Sequence, residues 1–211
     1  ISRVTGGNPS SIDGTLRSTI PNANLYFLNP YGIMFGPNAK LDVQGGFHAS
    51  TADYLRLSDG GQFEARQPNN SLLTVAPVEA FGFLTNTVAP ISVEGRGEIP
   101  QTEWESSSTG LKVTEGKTLS LIGGPLEIKN GTIFTTPVTD SYGEWVDVVR
   151  SPLLKATHGR INLVSVASPG EIIPRALGLD RIGLKHLGNI SLTEHALIDV
   201  SGVGGGSMFI L

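Results

Sequence analysis

The chain has 211 residues, with 27 glycines, 13 prolines and a charged fraction of only 16%, a balance that excludes a disordered polar tail and a charged helical bundle. A formal charge of −4, with its 15 Lys and Arg scattered, leaves no footprint for nucleic acid or an anionic membrane surface. The absence of cysteine rules out disulfide scaffolds, thiol catalysis and Cys-based zinc sites, and it suits a protein that crosses a membrane unfolded.

In chain order, short apolar alternations are broken by Gly, Asn, Asp or Pro, and helical periodicity is almost absent. Ile1 to Val4 opens the chain as a strand. Strands come next at Asn24 to Leu28, Gly32 to Phe35 and Lys40 to Val43. Asp53 to Leu73, with Asp59-Gly60-Gly61 at its middle, reads as a β-hairpin packed on the outside of the main body. Ile91 to Val93 is the next strand, and Gln101 to Gly110, with its serine run, reads as an exposed loop. Then come Leu111 to Val113, Thr118 to Ile122, Leu126 to Ile128 and Thr132 to Phe134. Ile161 to Val164 precedes Pro169 to Asp180, read as a loop with a short helical turn. Ile190 to Leu192, Ala196 to Val200 and Ser207 to Leu211 complete the set. Both ends fall inside strands, and neither an initiator Met nor a signal peptide is present, so the chain reads as a piece of a longer protein.

No long helix is available for crossovers, which argues against a doubly wound α/β fold. Sandwich, propeller and parallel β-helix remain. The triplet at Leu111, Leu119 and Leu126 suits successive sides of one winding, each turned by Gly or Asn. A hairpin sandwich tolerates the same spacing.

The most informative stretch is Asn24 to Ala39. Within it, Asn29-Pro30-Tyr31-Gly32 fits a type I turn position by position: Asn at the first place, Pro presetting φ at the second, Gly at the fourth. Ile33 then returns the chain to the core. This stretch resembles the Asn-Pro-Asn-Gly-Ile motif of two-partner secretion exoproteins, the filamentous-haemagglutinin-like family. Ile1 to Ser10 with Ile12-Asp13-Gly14 is similar to the family segment on the N-terminal side of the motif. Leu41-Asp42-Val43, Gly45-Gly46-Phe47 and Ala49 to Ala52 resemble the family segment on its C-terminal side. Gly116 to Gly124, and Asp199 to Gly202 with Gly204 to Ser207, look like further windings. The chain departs from the pattern at Tyr31, where the family carries Asn. A type I turn accepts Tyr there, so the turn survives, while any role of that Asn amide in recognition is in doubt. Asn8-Pro9-Ser10 is a weak relic of the family's upstream Asn-Pro motif, or an ordinary turn.

The resemblance implies an all-β fold, a right-handed parallel β-helix (a single-stranded solenoid) with the hairpin of residues 53–73 outside it. It implies a secretion-targeting domain of a large exported or surface adhesin-like protein, passing through the periplasm and captured by the periplasmic domains of a cognate outer-membrane transporter. Asn29, Pro30, Tyr31, Gly32 and Ile33 would be the recognition and turn motif. The downstream region would meet host or cell-surface glycans, and no cofactor is implied.

Two other readings compete, a polysaccharide-degrading β-helix enzyme and a purely structural adhesive shaft. Catalysis would need converging carboxylates, and the nearest candidates are Asp140, Glu144 and Asp147, or Glu103 and Glu105, all in polar, loop-like stretches. His48, His158, His186 and His195 lack metal-ligand spacing. Gly204-Gly205-Gly206 has no helix behind it, so it reads as a turn and not a phosphate cradle.

Overall fold

The computed structural model of the chain describes residues 1–100, 110–140 and 143–211, with Pro100, 135–140 and 143–149 described by their backbone alone. The protein is all-β. Among the described residues there are 24 strands and one helical turn, the 3-10 stretch Pro68–Asn70.

Most strands lie in parallel sheets. The first sheet runs β1 (Ser2–Arg3), β4 (Leu25–Leu28), β7 (Phe47–Ser50), β14 (Thr118–Gly123), β19 (Arg160–Ser165), β24 (Ser207–Ile210). The second runs β2 (Ser10–Ile12), β5 (Ile33–Phe35), β11 (Ile91–Glu94), β15 (Leu126–Lys129), β22 (Ile190–Leu192). The third face pairs β3 (Thr15–Ser18) with β6 (Lys40–Val43), and β13 (Leu111–Lys112) with β18 (Leu154–Lys155) and β23 (Ile198–Asp199). The chain visits the three faces in turn, so that each strand pairs with one from the next round. In the first sheet Leu25 lies beside Phe47, Phe47 beside Leu119, and Leu119 beside Ile161. These parallel registers exclude the hairpin sandwich that spacing alone left open.

Alternation decides which side chains turn inward. From the first sheet come Phe47, Ala49, Leu119, Leu121, Ile161 and Leu163; from the second, Ile33, Phe35, Ile91, Val93, Leu126 and Ile128; from the third face, Val43, Leu111 and Leu154. All are buried in one core. Each of the Val, Leu, Ile and Phe side chains among them contributes roughly 1.5–3 kcal/mol on burial. Outward positions of the second sheet are polar or exposed, with Met34 43% exposed. The first sheet differs, because β7, β14 and β19 are buried on both faces and read as nearly continuous buried runs.

The cover on that outer face is an antiparallel sheet in the order β21 (Gly178–Ile182), β20 (Gly170–Arg175), β10 (Val78–Phe83), β8 (Tyr54–Leu57), β9 (Gln62–Glu64). The hairpin β8–β9 lies in the stretch read as an outer hairpin, with Leu55 opposite Phe63. The inner side of the covering sheet packs Leu55, Phe81, Phe83 and Ile172 on Leu28, Ile122 and Val164 of the first sheet. The loop expected at Pro169 to Asp180 is corrected here: it is the hairpin β20–β21. Pairing with β10 ends at Ile172, so Pro174 interrupts no bond to that strand, and Ile172 and Ile173 are buried.

A second correction concerns Asp140, Glu144 and Asp147. They lie in strands and not in loops, on the hairpin β16 (Thr132–Asp140) and β17 (Gly143–Ser151), beside β12 (Glu98–Pro100). The Thr- and Val-rich sequence around them has high strand propensity. Glu103 and Glu105, and the loop read at 101–109, lie outside the described residues.

Candidate functional site

The turn that joins β4 to β5 connects the first sheet to the second. Its hydrogen bonds fit the expected geometry: Gly32 N–H donates to the Asn29 carbonyl at 3.2 Å, closing the four-residue turn. Asn29 Oδ1 accepts the Tyr31 N–H at 3.0 Å, a local side-chain bond that holds the Pro30–Tyr31 tip. Gly32 has φ +121°, a value that only glycine adopts without strain. A Cβ there would meet Pro9 Cβ and the Pro90 carbonyl at an ordinary 3.5 Å, so the restriction is one of backbone and not of space.

The turn sits between its neighbours. On one side Asn29 Nδ2 donates to the Asn8 carbonyl at 2.9 Å and to Ser10 Oγ at 2.8 Å, while Ser10 N–H donates to the Gly32 carbonyl at 3.0 Å. On the other side Asn29 N–H donates to the Ser50 carbonyl at 3.0 Å and Ile33 N–H to the Pro90 carbonyl at 3.1 Å. Asn29 is 0% exposed, and both donors and the acceptor of its amide are engaged. Asp could not replace it, since a carboxylate has no N–H to offer the Asn8 carbonyl. Gly32 and Ile33 are buried as well.

The tip of the turn is held differently. Arg66, just beyond β9, donates from Nη2 to the Pro30 carbonyl at 3.1 Å and lays its guanidinium 4.8 Å from the centre of the Tyr31 ring. Its Nε pairs with Asp53, whose side chain is only 4% exposed. Asp53 Oδ2 accepts the Leu84 N–H at 2.7 Å, and its backbone carbonyl accepts Ala65 N–H. The outer hairpin is thus buttoned to the turn at one point. Arg3 makes a second tie, donating to the Glu64 carbonyl at 2.7 Å and covering Phe63.

A family model described as TPS secretion domain matches residues 1–207. The chain belongs to that family. TPS proteins are exported through the periplasm to the cell surface or secreted, so this chain is the secretion-targeting domain of a two-partner secreted exoprotein. A curated relative, the heme/hemopexin-binding protein of Haemophilus influenzae (strain ATCC 51907 / DSM 11121 / KW20 / Rd), is 27% identical over 139 residues, which cover 66% of this chain and 14% of the relative. The TPS chain therefore spans only a small part of that relative's length. No solved structure matches.

All five motif positions, Asn29 to Ile33, come together in one turn, and Asn8 and Ser10 lie directly against it. The sequence carried one signal for that contact, the recurrence of Asn-Pro at Asn8-Pro9 and Asn29-Pro30. Asn8 contributes its carbonyl, not its amide, which bonds Gly6 at the surface. Arg66 and Asp53 had no sequence signal, since both belong to the outer hairpin and reach the turn only through tertiary packing.

The histidines are scattered. His48 lies on the covered face of the first sheet, stacked on Tyr26 with ring centres 4.5 Å apart and 3.0 Å from Ser120 Oγ through Nδ1. Burial lowers its pKa to about 4. A cleft of about 270 Å³ opens beside it between Tyr26, Phe81, Glu79 and Lys117. His158, in the turn between β18 and β19, pairs with Glu115 in the turn between β13 and β14. Among the described residues no three His, Cys, Asp or Glu gather as metal ligands, and no helix is long and apolar enough to cross a membrane.

Proposed function

We propose that this TPS domain winds as a right-handed parallel β-helix and that the Asn29–Ile33 turn is the element its transporter reads. The observation that carries this reading is the burial of Asn29, at 0% exposed with its whole amide spent inside the protein. A surface recognition motif would keep such an amide free. A segment read in the unfolded chain and then consumed in folding would bury it. The physical route is strand addition: the extended Leu25 to Phe35 segment, apolar on both sides of the turn, pairs with an edge of the transporter's periplasmic sheet. Once outside, the chain folds round upon round, and each round is stabilised by the one before it. That gain opposes return through the pore.

No catalytic step enters this reading. Of the carboxylates considered for catalysis, Asp140, Glu144 and Asp147 are spread along a hairpin backbone, with Glu144 opposite Thr139 and Asp147 opposite Thr136.

The test is a secretion assay on the Asn29→Ala, Gly32→Val double variant, joined to a pull-down with the transporter's periplasmic domains. The variant should be expressed normally, stay inside the cell and lose capture. Normal secretion removes the turn from the recognition site.

A further inference from the structure

The two halves of the turn are hidden by different parts of the chain. Asn29, Gly32 and Ile33 are enclosed by the rounds on either side, through Asn8, Ser10, Ser50 and Pro90. The Pro30–Tyr31 tip points away from those contacts and is covered by Arg66. Arg66 reaches it from the outer hairpin, which is inserted between β7 and β11 and belongs to no round of the parallel sheets. The early rounds can therefore stack while the tip is still open. The tip closes only when the hairpin docks and Arg66 finds the Pro30 carbonyl, the Tyr31 face and the Asp53 carboxylate together.

We propose that Arg66 and Asp53 form a clasp which, by closing over Pro30 and Tyr31, completes and locks the burial of the turn, and so ends the period after export in which the transporter can read the segment. This rests on the reading of the turn as the recognition element. It also gives Tyr31, the position where this chain departs from its family, a role of its own: the aromatic face is the seat on which the guanidinium lies. Arg66 suits the task better than Lys would, because its planar fork serves the carbonyl and the carboxylate at once while stacking on the ring. Asp53 is the fixed end of the clasp, since Oδ2 is tied to the Leu84 N–H and cannot swing with the arginine.

The test presents the chain to immobilised periplasmic domains of the transporter in two states, folded and freshly diluted from urea. Freshly diluted wild-type chain should be captured, and folded wild-type chain roughly tenfold less well, the penalty of a binding-competent state that is seldom populated. Presented at increasing times after dilution, Arg66→Met should stay capturable roughly tenfold longer than wild type, and its amide exchange across Leu55 to Ala65 should be faster. Tyr31→Ser is the second variant. It keeps a residue the turn accepts while removing the aromatic seat, so it should lengthen the same window should Arg66→Met fail to fold. Equal windows for wild type and both variants overturn the clasp. Failure of the urea-diluted wild type to bind overturns the recognition reading itself, and the clasp with it.

Discussion

The two faces of the first sheet are solved by different means. Inside, rows of like residues stack from round to round: Leu25, Phe47, Leu119 and Ile161 form one row, and Phe27, Ala49, Leu121 and Leu163 the next. Outside, the row Tyr26, His48, Ser120 and Asn162 is largely polar, joined by His48 to Ser120 and Asn162 to Ser120 contacts of 3.0 Å each. An antiparallel sheet covers it. Its strands are fastened by one ion cluster: Glu171 accepts from Arg56 Nε, Arg56 Nη2 and Tyr54 Oη at 2.9–3.1 Å, and Arg56 also pairs with Glu79. The inner face is nearest-neighbour and repetitive. The outer face ties Arg56 to a residue 115 positions away. The inner core can thus grow one round at a time, whereas the cover is complete only when β20 joins β10.

The largest effect should come from breaking the inner row. Leu121 is 0% exposed in the middle of it, and Leu121→Ala should cost about 3 kcal/mol through lost burial and a residual cavity. Urea unfolding should shift by that amount with every probe moving together. Ile172→Ala, equally buried in the cover, sharpens the comparison. If cover and stack melt as one unit, its loss is of the same order. If the cover opens by itself, the global midpoint holds and amide exchange rises only over Val78–Phe83 and Gly170–Ile182. The second outcome would show two cooperative units.

The pH dependence probes the polar outer row. Burial holds the folded His48 pKa at about 4, against an ordinary 6.5. Between those values the unfolded chain binds the extra proton, so stability from this group is full above about pH 6.5 and falls as pH drops towards 4. The loss amounts to roughly 3 kcal/mol across the window. His48→Gln, measured by urea midpoints at pH 7.5 and 4.5, should flatten this slope. An unchanged slope would mean that another group carries it.

The same contrast explains what could be read in advance. Leu111, Leu119 and Leu126 announce three successive faces because an inward leucine repeats in each short strand, and they lie in β13, β14 and β15 on three different sheets. Asn29-Pro30-Tyr31-Gly32 was legible because each residue carries its own conformational preference into the turn. The hairpin β20–β21 was not. Pro174 and its flanking glycines look like punctuation until β10 and the first sheet supply a surface on which Ile172 can be buried. Nor could Arg66 be paired with Tyr31, or Glu171 with Arg56. Such pairs have no period, and the intervening chain sets no distance between them.

Removing one carboxylate should weaken the cover with a smaller effect. Glu171 is 15% exposed at its side chain and takes three donors, so Glu171→Gln sets an amide N–H against Arg56 or Tyr54 and should cost about 2 kcal/mol. Hydrogen exchange would place that loss in β8, β10 and β20 if the cluster is what fastens them. A uniform loss across β14 and β19 would argue instead that cover and stack are a single unit.

The smallest effect belongs to an ion pair of similar geometry in a different setting. Arg17 Nε lies 3.0 Å from Asp42 Oδ2, linking neighbouring rounds on the third face much as Arg56 links strands in the cover. Its side chains are 69% and 46% exposed, against 25% and 15% for Arg56 and Glu171. Water and salt screen the exposed pair, and holding two long side chains in place offsets most of the attraction. Arg17→Ala should therefore move the urea midpoint by less than about 0.5 kcal/mol equivalent. A loss as large as that of Glu171→Gln would show that rounds are held together by their surface charges, contrary to a stack whose cohesion comes from the aliphatic rows within.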